Sequence, residues 1–290
     1  MKRSGTTYGI TLMILSVVAF AIMATLVKSM SHVSTYVTVF MRFSVGVGIL
    51  SILALMRKID LTFVRSPLLL LRGITGTASV ALFYLAIVKI GMGKGSVYSY
   101  SYPVFASLLS AIVLKERISS AKWLLILSAF IGIILVSLRA GSGDAGWTFS
   151  IWDILAMLSA LTNAISILIV KKLHGTDNSY AIFFAQSIVG FWIFIIPANL
   201  PELTGPVSGS YILILIGIAS AFAQLLNTEG YRHVSIATGS PFHMLIPVVN
   251  VAIGVIVFGE IFTSLEIIGA TLVVISCLGI MILNAWKAKH

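Results

Sequence analysis

Apolar residues in this chain come in runs of about twenty, the length that crosses a bilayer as a helix, and short polar breaks separate them. Only a helix satisfies its own backbone groups in hydrocarbon, so each run predicts a membrane-spanning helix. Ten spans are predicted, near residues 6–30, 35–57, 67–90, 92–114, 121–138, 150–172, 178–197, 210–233, 236–258 and 265–285. Most loops are a few residues long. Two are longer, Lys58 to Ser66 and Arg139 to Phe149, and the second divides the chain into near-equal halves. The first run contains Ala19-Phe20-Ala21, which looks like a signal-peptide cleavage site. Nine further runs follow it, so it is expected to remain as the first span.

The polar positions repeat. GSVYSYSYPVFASLLSAIVLKERISS, from Gly95, returns as GSPFHMLIPVVNVAIGVIVFGEIFTS, from Gly239, at a constant offset of 144 residues and without a gap. Gly95, Ser96, Pro103, Val104 and Glu116 meet Gly239, Ser240, Pro247, Val248 and Glu260. Tyr36, Phe40, Gly46 and Gly73 find Tyr180, Phe184, Gly190 and Gly217 at the same offset, while Lys28 and Lys171 stand 143 apart. The chain is thus expected to be a duplicated unit, with halves at 6–140 and 150–285 and a linker at 141–149.

Composition agrees with a membrane solvent. Hydrophobic residues make up 59% of the 290, charged residues 10%, and the mean hydropathy is +1.08. A soluble domain carries roughly 25% charged residues. The net charge of +10 is therefore read through topology. With both termini cytoplasmic, 14 lysines and arginines fall in inside segments, Arg72 and Lys122 among them, and 4 fall outside. That is the positive-inside bias of an inner-membrane protein, and contact with anionic lipid accounts for the basicity without nucleic acid. Five spans per half is an odd number, so the second copy enters the bilayer upside down. The expected fold is an all-α integral membrane protein of ten transmembrane helices in two inverted five-helix repeats. Such repeats mark secondary transporters with a midplane site.

The segment RGITGTASVALFYLAIVKIGMGKGSVYSYSYPVFASLLSAIVLKERIS, with its second copy from Pro247 to Glu260, resembles the conserved block of the EamA-type family of the drug/metabolite transporter superfamily. The resemblance runs from about Gly9 to Leu283. It implies ten helices, cytoplasmic ends, a cavity between two five-helix bundles, and transport of amino acids or other small metabolites, most often outward. The copies differ at one edge, Gly259-Glu260 against Lys115-Glu116-Arg117.

Helical spacing selects the candidate substrate site. Ser240, His243, Pro247, Asn250 and Gly254 form one stripe of the ninth span. Its counterpart is Ser96, Ser99, Pro103, Ala106 and Ser110, with Tyr98 and Tyr102 beside it. Small residues on such faces also serve close helix packing, within or between chains, so they leave the oligomeric state open. His243 and Asn250 are costlier than packing requires. Pro103 and Pro247 each remove a helical hydrogen bond and are candidate hinges. Further candidates are Asn163, Asn227, and Arg42 with its repeat mate Gln186. A buried arginine suits an anionic group of the substrate. Glu229 stands inside a span and is a candidate for ion coupling, yet Arg232 and His233 lie within reach for an ion pair.

The expected function is secondary transport of a small solute, an amino acid or related zwitterion, by alternating access, as an exporter or exchanger. A Walker A sequence is absent, which removes ATP hydrolysis by this chain and leaves exchange or coupling to protons or sodium. The lone Cys277 offers no disulfide or thiolate metal site, and no cofactor is called for. The alternatives are an intramembrane transferase and a non-transporting membrane protein. The nine acidic residues are scattered, with no metal-spaced pair inside a span, which disfavours the transferase.

Overall fold

A computed structural model describes residues 2–61, 66–113, 119–137, 150–204, 210–233 and 242–287, and these residues contain helices and no strand. In chain order they are α1 (Lys2–Ser29), α2 (Thr35–Leu55), α3 (Pro67–Ile90), α4 (Met92–Ser99), α5 (Tyr102–Val113) and α6 (Ser120–Ser137). The second half supplies α7 (Ile151–Leu173), α8 (Ser179–Phe194), α9 (Ser210–His233), α10 (Leu245–Phe258) and α11 (Ser264–Lys287). Six of these, α1, α2, α3, α7, α9 and α11, are long and apolar enough to cross a membrane, and shorter apolar helices accompany them.

Local chemistry sets several of the starts. Ser66 accepts the Leu69 N–H at 3.3 Å and Pro67 fills the first helical position, where no N–H partner is needed. Ser150 and Asp153 close a capping box on α7, and Asn178 accepts the Ala181 N–H at 2.7 Å to begin α8. The fourth expected span is not continuous. It is α4 followed by α5, broken at Tyr100 and Ser101. The eight-residue α4 and the twelve-residue α5 together rise about 30 Å at 1.5 Å per residue, one hydrocarbon thickness. The seventh expected span is α8, which ends at Phe194, short of the expected 197, and is followed by a 3-10 turn at Pro197–Asn199. The expected linker 141–149, Glu116 and Ser240 lie outside the described residues.

The largest helix contacts follow one rule: exchanging the halves maps them onto one another. α1 packs on α9 as α7 packs on α3, and α2 packs on α9 as α8 packs on α3. α1 touches α10 as α7 touches α4 and α5. The counterparts α2 and α8, α4 and α10, and α6 and α11 pack on each other directly. The offset of 144 reappears in single contacts. A Cβ on Gly73 would stand 2.6 Å from Val189, and one on Gly217, its mate, would stand 2.5 Å from Val45, the mate of Val189. Gly46 faces Ser187 while Gly190 faces Phe43, again an exchange of mates.

These counterpart pairs run antiparallel. Along α6 and α11, Leu125 meets Gly279 while Gly132 meets Gly269, and each of these two middle glycines lies against the other's carbonyl. Absent side chains let the backbones approach, which is how helices associate where lipid supplies no hydrophobic drive. Two apolar clusters fill the interior. One joins α1, α2, α3 and α9 around Met23, Phe43 and Tyr84; the other joins α5, α6, α7 and α11 around Tyr98, Ile133 and Cys277. Tyr100, at the break, packs against both.

Because Phe43 occupies the space a side chain at 190 would need, Gly190→Val overpacks the α2–α8 seam. We expect it to lower stability by about 1–3 kcal/mol, read as a lower thermal midpoint in detergent. Adding Phe43→Ala should recover part of the loss.

Candidate functional site

The site is organised by the helix break. At its start the Tyr100 N–H still reaches the Ser96 carbonyl at 2.9 Å, after which the Ser101 N–H turns to Tyr98 at 3.1 Å. Pro103, the second residue of α5, has no N–H and its ring would press on the Ser99 carbonyl of a continuous helix. The second copy repeats this: a turn at Met244 precedes α10, and Pro247 is its third residue. Both candidate hinges thus stand just past equivalent breaks.

A helix that starts within the bundle exposes unpaired N–H groups. The Glu260 carboxylate meets those of α4. Met92 N–H donates to Oε1 at 2.6 Å and Gly93 N–H to Oε2 at 3.0 Å. Gly91 adopts φ +97, the left-handed region that favours glycine. A Cβ on Gly91 or Gly254 would lie 2.8 or 2.5 Å from this carboxylate, so both glycines make room for it. Lys28 adds its ammonium at 3.5 Å from Oε1 and donates to the Ile87 carbonyl at 3.4 Å. Nearby, Lys94 pairs with the buried Glu266, whose second oxygen accepts the Thr263 N–H at 2.8 Å. Glu260 and Glu266 belong to one half, and Lys28, Lys94 and the α4 terminus to the other. This latch ties the halves at one end of the bundle.

Further in, the two stripes meet. Asn250 Nδ2 donates to Ser96 Oγ at 2.7 Å, and both residues are fully buried. Among the described residues, Asn250 Oδ1, Ser99 Oγ, His243 Nε2 and Asn227 Oδ1 have no hydrogen-bond partner. Such atoms cost about 1–3 kcal/mol each until something bonds them. The His243 ring meets Phe20 and Tyr231 edge-on, with centroids 6.2 and 5.8 Å apart. Tyr98 and Tyr102 are buried within the second apolar cluster. Tyr100 stands between the clusters with its ring 5.8 Å from Phe83. The sequence reading named Tyr98 and Tyr102, two residues to either side, and not Tyr100, which lies at the break between the clusters. Asn163 is half-buried on the face of α7 that carries Ser159 and Ser166.

Two arginines occupy the interior. Arg42, 4% exposed, donates from Nη1 to the Tyr84 hydroxyl at 3.2 Å and to Met23 Sδ at 3.5 Å, and Tyr84 in turn meets Ser220 at 3.0 Å. Its guanidinium lies over the Phe43 and Tyr84 rings, 5.8 and 5.5 Å from their centroids. Arg72 corrects the topology tally. Counted above among the inside segments, it is 5% exposed within α3 and donates to Ser166 Oγ and, at 2.9 Å, to Gln186 Oε1. Lys122 is likewise buried. The sequence signal for Arg72 was Gly76 four residues on: any Cβ there would collide with the guanidinium. Gln186, a candidate substrate contact and the repeat mate of Arg42, is engaged by Arg72 through its side chain and by Thr77, whose hydroxyl donates to its backbone carbonyl at 3.3 Å.

Glu229 stands at the end of α9, 3.2 Å from His233 and 3.8 Å from Arg232. It forms the local ion pairs its spacing predicted.

The fold and site define a helical membrane bundle of two like halves closed over a partly unsatisfied polar seam. The family model described as "EamA-like transporter family" matches residues 7–138 and again 150–282, and the chain belongs to that family. Relatives agree. The pseudopaline exporter CntI of Pseudomonas aeruginosa is 26% identical over 94% of this chain and 95% of its own length. A riboflavin transporter of Vibrio cholerae is 27% identical over 76% and 72%. An S-adenosylmethionine uptake transporter of Rickettsia bellii is 22% identical over 62% and 60%. One crystal structure aligns over 99% of this chain and 98% of its own with a TM-score of 0.62 at 17% identity, which shows the shared fold. The protein is a multi-pass small-molecule transporter by family, and its relatives include both exporters and uptake systems.

Because Glu260 bonds two N–H groups, Glu260→Ala should cost about 2–5 kcal/mol, seen as a lower unfolding midpoint in detergent. Glu260→Gln should cost less than half as much, and Lys28→Met, which removes a partly exposed charge, about 1 kcal/mol or less.

Proposed function

We propose that this chain carries an amino acid or related zwitterion across the inner membrane by alternating access, as an exporter or exchanger. Ten spans, in halves 6–140 and 150–285 inverted relative to each other, rock about the seam. The observation that carries this reading is the set of partnerless buried atoms on the facing stripes: Ser99 Oγ, His243 Nε2 and Asn250 Oδ1, with Asn227 Oδ1 beside them. A polar solute would bond them, whereas a purely structural seam would leave them stranded. The antiparallel counterpart pairs support the inversion. The latch supports the rocking, because Glu260 and Glu266 hold one end shut through contacts that separation of the halves would break. With positive-inside topology that end faces outward and both termini face the cytoplasm. Breaks before Pro103 and Pro247 supply the bending points.

Counterflow in proteoliposomes tests the proposal. The intact protein should exchange at least one solute of an amino-acid and metabolite panel, and His243→Ala and Asn250→Ala should each lower the rate at subsaturating solute about tenfold, the equivalent of 1.4 kcal/mol. No exchange of any solute, or full activity in both variants, would refute it. In a Cys277→Ser background, Ser120→Cys should react with impermeant reagent from the inside and Ser264→Cys from the outside; labelling of both from one side would sink the inversion.

A further inference from the structure

Arg42 and Arg72 present a charge problem that the seam does not solve. All four side-chain groups that accept from them, Tyr84 Oη, Met23 Sδ, Ser166 Oγ and Gln186 Oε1, are neutral. Nε of each guanidinium is buried and unbonded. The described carboxylates, Asp60, Asp153, Asp177, Glu202, Glu229, Glu260 and Glu266, all stand in loops or in the terminal turns of helices. None of them pairs with either arginine, and the ion pairs they form are with Lys28, Lys94, Arg232 and His233. Phe43, next to Arg42 in the chain, lies against Gly190, one turn along α8 from the Gln186 that Arg72 bonds, so both cations are buried in one region of the bundle, where like charges oppose each other. Intramembrane charges persist where they face a solute path and meet a counter-charge there.

We infer that the cargo presents at least two oxyanion groups, carboxylate or phosphate, one for Arg42 and one for Arg72. A zwitterion with a single acid group neutralises one guanidinium and leaves the repulsion of the other standing. A diacid relieves both. Guanidinium geometry favours this class, since an unbonded Nε beside a terminal nitrogen offers the paired donors that oxyanions accept. The aromatic rings at Phe43 and Tyr84 hold the Arg42 plane in position for such a contact. The inference deepens the transport reading, on which it rests for the word cargo; the binding site itself is tested without transport.

Ligand-induced thermal shifts of the purified protein, at constant ionic strength, compare matched pairs: aspartate with asparagine, glutamate with glutamine, succinate with butyrate, and phosphoserine with serine. In at least one pair the acidic member, or the member with the extra acid group, should act at about tenfold lower concentration. Arg42→Gln and Arg72→Gln should each erase that difference, while Arg42→Lys and Arg72→Lys keep most of it. The carboxylate and phosphate pairs separate the two sources of oxyanion. Equal behaviour within every pair, including no shift from either member, overturns the inference, as does discrimination that survives both glutamine variants. Should Arg72→Gln fail to fold, Arg42→Gln carries the test, because its side chain bonds only Tyr84 and Met23. Diacid binding without exchange in proteoliposomes sinks the transport reading alone; exchange without diacid preference sinks this inference alone.

Discussion

A helix that begins inside a membrane protein leaves its first N–H groups open where water cannot reach them freely. In this molecule the carboxylate of Glu260, from the opposite half, bonds two of them at the start of α4. The consequences spread from that contact. α4 can be short because its open end is satisfied, so the span can break at Tyr100 and resume at Tyr102 before Pro103. The break sets Tyr100 between the two apolar clusters. It also leaves Ser96 and Ser99 on the face that meets α10, where Asn250 reaches Ser96 at 2.7 Å. The same carboxylate binds the halves at one end, so local backbone chemistry and global closure depend on one side chain.

Close approach of the halves is the second requirement, and glycine meets it. Gly46, Gly73, Gly190 and Gly217 lie where any side chain would strike the opposite half. In lipid there is no hydrophobic gain from burying one apolar helix against another, so packing contacts and bonds such as Arg72 to Gln186 must hold the seam. That makes the interface strong where side chains interlock and cheap to open where only the latch holds it.

Much of this was legible in the sequence. The offset of 144 residues gave the counterpart pairs, and the glycine contacts obey it residue by residue. The stripe containing Asn250 and Ser96 was visible as a helical period, and the two residues touch. Glu229 was expected to pair with Arg232 and His233, and does. What escaped has a common cause. Periodicity assumes an unbroken helix, and the break at 100–101 sets Tyr100, which no stripe contained, between the two clusters. Counting charges by position in a span cannot tell an arginine near the membrane surface from one turned inward, so Arg72 was assigned to the edge although it lies buried between α3, α7 and α8. Glu260 could be placed at a span end, but its partners lie 167 and 168 residues away in the chain, beyond any local signal.

The halves are alike in backbone and unlike in charge, and this asymmetry has a physical reason. Where the first half has Arg42, the second has Gln186 at the equivalent place. An arginine at 186 would stand against Arg72 and repel it in a medium that screens poorly. A glutamine keeps the hydrogen-bonding reach, and its carbonyl oxygen accepts from Arg72 at 2.9 Å. Likewise Asn250 answers Ala106, so the bond from Asn250 to Ser96 comes from one half, and position 106 cannot repeat it. Perfect copies would repeat every donor and every charge in both halves. Divergence at these few positions leaves an arginine in one half where the other has a neutral amide.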